Sequence, residues 1–194
     1  MRRQLSPHFL FNTLNTISVL ALRGDQASVV STIGKLSELL RVAIDESNPQ
    51  IVALAEELRF LDGYLAIQQI RFADRLHIRL DIAPESLRAA VPFMVLQPVI
   101  ENAIEHGMST NEETPSTVAI RAAVNDGRLH LAVSDTGPGF RRSRGQGGTG
   151  IGLANMELRL QQLYGDDHTI EYGGTVAGAS VTISIPFAPL DPMD

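Results

Sequence analysis

Apolar side chains recur at every third or fourth position through the first 72 residues, a period that predicts three helices. Ser6-Pro7 is typical of an N-cap followed by the first helical residue, and Arg23-Gly24-Asp25 ends the helix that begins there. We expect the other two helices over about 27–44 and 53–72. The short connection predicts that the first two helices form an antiparallel hairpin.

The apolar stripes of these helices predict which side chains stay in solvent. The residues expected to pack are Leu10, Leu14, Ile17 and Ala21 in the first helix, and Val29, Ile33, Leu36, Leu40 and Ala43 in the second. At about 100° per residue, His8 and Asn12 fall on the side opposite the first stripe. We therefore expect His8 on the outer surface, with Asn12 one turn further along the same face.

From about residue 75 the pattern changes to the alternation that is typical of strands. We expect strands over 76–82, 118–124, 129–133, 168–172 and 180–187, and helices over 92–106 and 151–164. Asn125-Asp126-Gly127 predicts a tight turn between the second and third strands. The predicted fold is α+β: a helical hairpin (1–48), a linking helix (49–74) and a two-layer α/β sandwich (75–190) with a mixed, mainly antiparallel sheet.

Composition narrows the classes of function. The formal net charge of −6 argues against a nucleic-acid partner, and the absence of cysteine excludes disulfides and fits a cytosolic protein. Lys35 is the only lysine and is not part of a Walker-type phosphate loop, so any nucleotide must be held in another way. No apolar run reaches the roughly 20 residues that span a bilayer, and no secretory signal is visible.

The predicted helix around Asn102 carries polar side chains beside an apolar stripe. Pro98, Asn102, Glu105 and His106 fall on one side of it. Such side chains can line a cleft, and the amide oxygen of Asn102 is a suitable ligand for Mg²⁺. A solvated helix face explains the same spacing equally well.

Two glycine-rich segments follow. Asp135 ends a strand before Gly137-Pro138-Gly139, and its carboxylate could accept a hydrogen bond from the adenine amino group, although a simple turn is the alternative. The segment 145–152 precedes a helix whose first N–H groups could hold phosphate oxygens. Its G-x-G-x-x-G spacing follows an arginine-rich loop and not a strand, so we interpret it as a mobile lid, with a plain loop as the alternative.

Together these segments resemble the sensor histidine kinases of the LytS type, whose ATP domain belongs to the gyrase–Hsp90–histidine kinase–MutL superfamily. The resemblance covers nearly the whole chain. It rests on four boxes in order: the phosphoacceptor box at 7–12, the N-box at 96–107, and the two glycine boxes at 135–139 and 148–155.

The resemblance implies a role for each box. His8 would accept a phosphoryl group from ATP, Asn12 would orient the ring, and Asn102 would bind Mg²⁺. The residues implied to contact ATP are Asn102, His106, Asp135, Gly137, Gly139, Gly148, Thr149, Gly150, Ile151, Gly152 and Leu153. The resemblance also implies a homodimer built on a four-helix bundle and a response regulator receiver domain that takes the phosphoryl group onto an aspartate.

The chain departs from the family pattern in ways that bear on its control. Ser6 stands where members usually carry Asn, and only seven residues precede His8, whereas members usually follow a sensor module that is often membrane-anchored. We therefore expect a cytoplasmic fragment, such as the cytosolic portion of an inner-membrane protein, or a truncated member.

The general base is not identified by any motif. Phe9 follows the histidine where many histidine kinases carry an acidic residue, and Pro98 occupies the position of the catalytic Glu of related ATPases, which argues against an ATPase clamp. Glu101 and Glu105 are the nearest carboxylates in sequence. A non-catalytic ATP-binding dimerisation module remains the alternative, and the exposed His8 disfavours a third hypothesis, an anti-sigma type protein-serine kinase.

Overall fold

Three helices fill the first part of the chain. The computed structural model describes residues 5–45, 49–108, 115–137, 151–175 and 178–190. Helices α1 (Pro7–Leu22) and α2 (Gln26–Ile44) form a hairpin, and α3 (Leu54–Phe72) packs against both. The predicted helical hairpin is therefore confirmed, and α3 lies where the sequence predicts a third helix.

The helix starts follow from local capping. The Ser6 hydroxyl accepts a hydrogen bond from Phe9 N at 3.3 Å, which confirms the predicted start of α1 at Pro7. The Asp25 carboxylate accepts from Ser28 N at 3.1 Å and caps α2. Gly24 turns the chain between the two helices with φ +74°, a conformation that glycine adopts at little cost.

Two short strands tie the linking helix to the second half of the chain. Strand β1 (Ile51–Ala53) directly precedes α3 and pairs antiparallel with β3 (Ala90–Pro92). The sequence analysis does not predict this ribbon, because three residues are too few to show an alternating pattern.

The main sheet has five strands in the order β2-β4-β5-β7-β6. Their bounds are β2 (Leu76–Ile82), β4 (Ser116–Asn125), β5 (Arg128–Asp135), β6 (Thr169–Thr175) and β7 (Gly178–Pro186). Only the pairing of β2 with β4 is parallel, so the mixed, mainly antiparallel sheet is confirmed. Asp126 and Gly127 connect β4 to β5 with φ of 51° and 71°, the backbone of the predicted two-residue hairpin turn.

Helices cover one face of this sheet. Helix α4 (Gln97–Gly107) packs on β4, β5 and β7, and α5 (Ile151–Tyr164) packs beside α4. The core between the layers is formed by alternate residues of the strands, which include Ile120, Leu131, Ile183 and Ile185.

Two expectations from the sequence are wrong in detail. The predicted helix over 92–106 begins five residues later, at Gln97, because Pro92 ends β3 and Met94 has φ +62°. The predicted stripes of the hairpin are also displaced, since Leu14 is 52% exposed and Ile33 is 47% exposed. The buried positions of α1 and α2 are Phe9, Thr13, Thr32, Leu36, Leu39 and Ala43.

Candidate functional site

The imidazole of His8 lies in the first turn of α1. As expected, the residue is exposed, although its neighbour Phe9 is buried and packs its ring 4.6 Å from that of Tyr64 in α3. Asn12 Nδ2 lies 3.1 Å from His8 Nε2. When the amide donates this bond, the ring proton resides on Nδ1 and the lone pair is on Nε2.

His8 also borders a cleft of about 210 Å³, here called the acceptor cleft, where α1 meets α3 and α4. Its polar lining includes His8 and Asn12 from α1, Tyr64 and Arg71 from α3, and Glu101 and Glu105 from α4. The structure therefore brings the predicted phosphoacceptor box against the helix that carries Asn102, although the two are about 90 residues apart in sequence.

The two carboxylates of the acceptor cleft have different surroundings. Burial raises the pKa of Glu101, whereas a hydrogen bond from Gln97 Nε2 at 2.9 Å lowers it. Glu105 is exposed. Around α4, Glu105 lies between Glu101 and Asn102, so it borders both the acceptor cleft and the side of the helix that carries Asn102.

Asp135 ends β5 and is 8% exposed, on the face of the sheet that the helices cover. Its Oδ1 accepts a hydrogen bond from Gly137 N at 2.8 Å, which fixes the carboxylate at the start of the glycine segment. The backbone of Gly178 lies so close that a Cβ there would be 2.1 Å from the Asp135 carbonyl oxygen. A buried carboxylate can accept hydrogen bonds from an amino group, which fits the predicted role of Asp135.

Gly107 packs closely against the start of β4 beside Asp135. A Cβ on Gly107 would lie 2.8 Å from Ser116 Oγ and 3.6 Å from Asp135 Cβ. Ser116 is 3% exposed, and its Oγ has no hydrogen-bond partner within the described residues. Buried hydroxyls are rarely left unpaired, so Ser116 Oγ is a candidate contact for a ligand bound beside Asp135.

Asn102 is half-buried in the middle of α4. Within the described residues, no group of three or more His, Asp or Glu side chains could hold a metal ion by itself. The amide oxygen of Asn102 can serve as a ligand for Mg²⁺, which binds few protein ligands and takes its other ligands from phosphates and water.

The remaining candidates are only partly described. The side chains of His106 and Ile151 are outside the described residues, as are Gly139, Gly148, Thr149 and Gly150. Gly152 lies in the first turn of α5, where a Cβ would be 3.5 Å from Pro98 Cβ, and Leu153 packs against the core. The start of α5 therefore lies against the start of α4.

A buried carboxylate that the sequence analysis does not identify holds the start of α4. Glu57 in α3 is 0% exposed and accepts hydrogen bonds from Met94 N at 2.6 Å and Leu96 N at 3.0 Å. Burial raises the pKa of Glu57 to about 7, although the backbone donors and Arg159 oppose this. Its position one turn after Leu54, on the apolar stripe, is the signal that could have identified it.

Arg159 binds the same segment from the side opposite Glu57. It lies in α5 and donates hydrogen bonds to the carbonyl oxygens of Phe93 and Gln50, the latter at 2.7 Å. The segment 93–96 is thus bound by α3 through its N–H groups and by α5 through a carbonyl. We refer to Glu57, Arg159 and the segment 93–96 as the α4 clamp.

Comparison with known proteins agrees with this arrangement. The family model described as histidine kinase matches residues 1–76, and the model described as histidine kinase-, DNA gyrase B- and HSP90-like ATPase matches residues 90–189. The chain is 33% identical over 189 residues to the sensor histidine kinase YesM of Bacillus subtilis, and 29% identical over 201 residues to the sensor protein LytS of Staphylococcus saprophyticus. These alignments cover 96% and 98% of this chain and 32% and 34% of the relatives, so the chain spans about a third of their length.

The fold agrees with the same group of proteins. The histidine kinase domain of the blue-light activated kinase EL346 from Erythrobacter litoralis superposes with a TM-score of 0.56 at 16% identity, covering 94% of this chain and 96% of that domain.

The helical hairpin with the exposed His8 lies in the part matched by the histidine kinase model, and the α/β sandwich with the buried Asp135 lies in the part matched by the ATPase model. The chain belongs to the sensor histidine kinase family. The resemblance that the sequence suggested is confirmed.

Proposed function

We propose that this chain is the kinase core of a two-component sensor, which transfers the γ-phosphoryl group of ATP to His8 and then to an aspartate of a response regulator. The observation that carries the proposal is the acceptor cleft, in which an exposed histidine with an amide on Nε2 faces the helix of Asn102. Family membership makes the reaction class the natural one for this geometry.

Asn12 is proposed to orient the imidazole ring of His8. Asn12 donates to Nε2, which selects the tautomer with its lone pair on that nitrogen and holds the ring toward the cleft. For attack, the amide must move aside or turn toward the incoming phosphoryl group. Asn12 is therefore proposed as an orienting residue.

The nucleotide is proposed to bind between α4 and the end of β5. Asp135 would accept from the adenine amino group, and the buried Ser116 hydroxyl lies beside it. The proposed contacts to the rest of ATP come from the other N-box and glycine-box residues, which are His106, Gly137, Gly139, Gly148, Thr149, Gly150, Ile151, Gly152 and Leu153. Asn102 would hold Mg²⁺, which neutralises charge on the phosphates when bound.

The proposed partners follow from the family and from the helical hairpin. Exposed apolar side chains on α1 and α2 would pack against a second copy in a four-helix bundle, and a receiver domain would then reach His8. We propose a cytoplasmic location, since ATP and receiver domains are encountered there; within the described residues no helix is long and apolar enough to cross a membrane. The proposed division is hairpin 1–48, linking helix 49–74 and ATP-binding domain 75–190.

The test is incubation with γ-labelled ATP and Mg²⁺, followed by separate acid and base treatment of the protein. Label on a histidine is lost in acid and retained in base, and His8→Ala should abolish it. Asp135→Asn should abolish labelling together with ATP binding measured by calorimetry, because the amide presents a donor to the adenine amino group. His77→Ala is the matched control, since His77 lies exposed on β2, and its label should equal that of the unmodified chain.

Two results would contradict the proposal. Label that persists in His8→Ala would place the acceptor elsewhere. ATP binding without any base-stable label, in the presence of a cognate activating partner, would support a non-catalytic ATP-binding dimerisation module.

A further inference from the structure

The acceptor cleft is lined by more carboxylates than permanent cations, although it would receive a negatively charged phosphoryl group. Apart from the His8 ring, its titratable lining among the described residues consists of Tyr64, Glu101, Glu105 and Arg71. Arg71 is thus the one permanent cation beside two carboxylates. A phosphoryl group on His8 would bring about two further negative charges into this cleft.

The fold places Arg71 in the cleft on a supported helix face. Tyr64, Gln68 and Arg71 follow at spacings of four and three residues and share one side of α3. Tyr64 and Gln68 are 1% and 4% exposed, and Gln68 Nε2 donates to the Tyr64 hydroxyl at 2.7 Å. The Arg71 guanidinium lies 4.5 Å from the centre of the Phe72 ring, which fixes its plane.

The guanidinium is not committed to an ion pair. Among the described residues, the salt bridges are Arg121 with Asp81 and Arg128 with Asp167, and neither involves Arg71. Partial burial lowers the pKa of Arg71, while Tyr64 and Glu105 oppose this, and the group remains protonated at neutral pH. Its N–H donors are therefore available to an anion that enters the cleft.

We propose that Arg71 binds the phosphoryl group as it is transferred to His8 and while it resides there. This inference rests on the proposed function. In the transfer, the Nε2 lone pair forms the N–P bond as the bond from the γ-phosphorus to the β–γ bridging oxygen breaks. ADP leaves with that electron pair, and the Nδ1 proton is released to solvent, which the exposed ring contacts. Arg71 offsets the charge that the two carboxylates would otherwise repel.

Two phosphoryl donors allow the role of Arg71 to be tested separately from the kinase proposal. The whole chain is phosphorylated once with ATP and Mg²⁺, and once with phosphoramidate, which transfers a phosphoryl group and releases ammonia without using the nucleotide site. The ³¹P resonance of phosphorylated His8 is then titrated with pH. A guanidinium at contact distance should lower the pKa of the phosphoryl group by about one unit relative to Arg71→Ala.

The kinetic arm compares ATP-driven labelling rates. Arg71→Ala should label at least about tenfold more slowly, a smaller effect than the loss of an enclosed arginine finger because solvent reaches this cleft. The KM for ATP should stay within about twofold, since the contact is made in the transition state. Arg71→Lys should keep most of the ³¹P shift and recover part of the rate. Arg59→Ala, an exposed position on the same helix, is the matched control and should change neither.

The outcomes are distinguishable. Equal phosphoryl titrations in the unmodified chain and Arg71→Ala would overturn the role of Arg71, even if ATP labels His8. A shift seen only after phosphoramidate treatment would support Arg71 while the kinase proposal fails. If neither donor phosphorylates His8, that residue is not an acceptor and both proposals fall.

Discussion

Among single residues, close packing explains the glycine at the end of α4. Gly107 ends α4 with ordinary helical geometry, so its backbone does not require glycine. What requires it is space, because a Cβ would lie 2.8 Å from Ser116 Oγ and 3.6 Å from Asp135 Cβ. The residue is thus explained by its close contact with the start of β4 and not by helix propensity, which disfavours glycine.

Gly107→Ala should therefore destabilise the fold, because the added methyl group must displace the buried Ser116 hydroxyl. We expect the free energy of unfolding to fall by about 1–3 kcal/mol, the usual cost of overpacking. Urea unfolding measures this change. Gly34→Ala is the control, because a Cβ there meets nothing within 4 Å. Unchanged stability in Gly107→Ala would show that Ser116 moves aside at no cost.

At the scale of secondary-structure elements, the α4 clamp joins the linking helix to both helices of the sandwich. Glu57 binds the N–H groups of the segment 93–96, and Arg159 binds the carbonyl of Phe93. Because α3 packs against both helices of the hairpin and Glu57 of α3 binds the segment 93–96, a displacement of α3 would be transmitted to the start of α4. The clamp is thus a direct mechanical connection between the hairpin side of the molecule and the helix of Asn102.

The buried Glu57 predicts a specific pH dependence of stability. Its pKa of about 7 in the folded chain lies above the ordinary value of 4.5, so the folded state binds the proton more tightly. Its contribution to the free energy of unfolding is therefore fully present below about pH 4.5 and is lost as pH rises to about 7. The loss is at most about 3.5 kcal/mol, from about 1.4 kcal/mol per pKa unit.

Urea unfolding at several pH values between 4.5 and 8 measures this contribution. In Glu57→Gln the pH-dependent decrease should be smaller than in the unmodified chain by about that amount, because the amide does not titrate. At low pH the variant should be about 1–3 kcal/mol less stable, since its amide nitrogen cannot accept one of the two N–H groups. Glu56→Gln, its half-buried neighbour, should keep the original pH profile. A pH profile in Glu57→Gln equal to that of the unmodified chain would contradict the assignment.

The elements that the sequence predicts well are those with a long and regular pattern. The helices α1, α3 and α5, and the turn at Asp126-Gly127, depend on local capping, periodicity and positive φ, which the sequence contains directly. The start of α4 depends on Glu57, which is about 40 residues away in the chain and acts through the backbone of Met94 and Leu96. No local pattern encodes such a contact.

The residues of the candidate site also divide into those that the sequence predicts and those that it does not. His8, Asn12 and Asp135 belong to recognisable segments, and their types and spacing predict the chemistry. Arg71 belongs to Ile70-Arg71-Phe72, which fits the linking segment of the family, but its place in the acceptor cleft is visible only in the structure. Ser116 becomes a candidate only through position, as an unpaired hydroxyl beside Asp135. Serine is too common for sequence alone to select it.

In the molecule as a whole, the hairpin has two apolar faces, and within the described residues only one of them is covered. Phe9 and Thr13 of α1 face the interior, whereas Phe11, Leu14 and Leu22 are exposed and lie within about 80° of one another around the helix. On α2, Val30, Ile33 and Ile44 are exposed in the same way. Monomeric proteins rarely expose contiguous apolar patches of this kind, and a second hairpin would cover them. The apolar stripe predicted from the sequence therefore combines residues of the covered face with residues of the exposed face.

Leu14→Glu should therefore convert a dimer to a monomer without unfolding the chain. Leu14 is 52% exposed here, so the monomer tolerates a charge, whereas burial of an unpaired carboxylate in a helix bundle is costly. We expect the dissociation constant from sedimentation velocity to rise at least about tenfold, equivalent to about 1.4 kcal/mol, with an unchanged helical circular dichroism spectrum. Leu158→Glu changes a leucine of 55% exposure on α5 and should leave the dimer intact. Two results would show that the exposed faces of α1 and α2 do not form the bundle. One is equal self-association of Leu14→Glu and the unmodified chain. The other is an unmodified chain that stays monomeric at all concentrations.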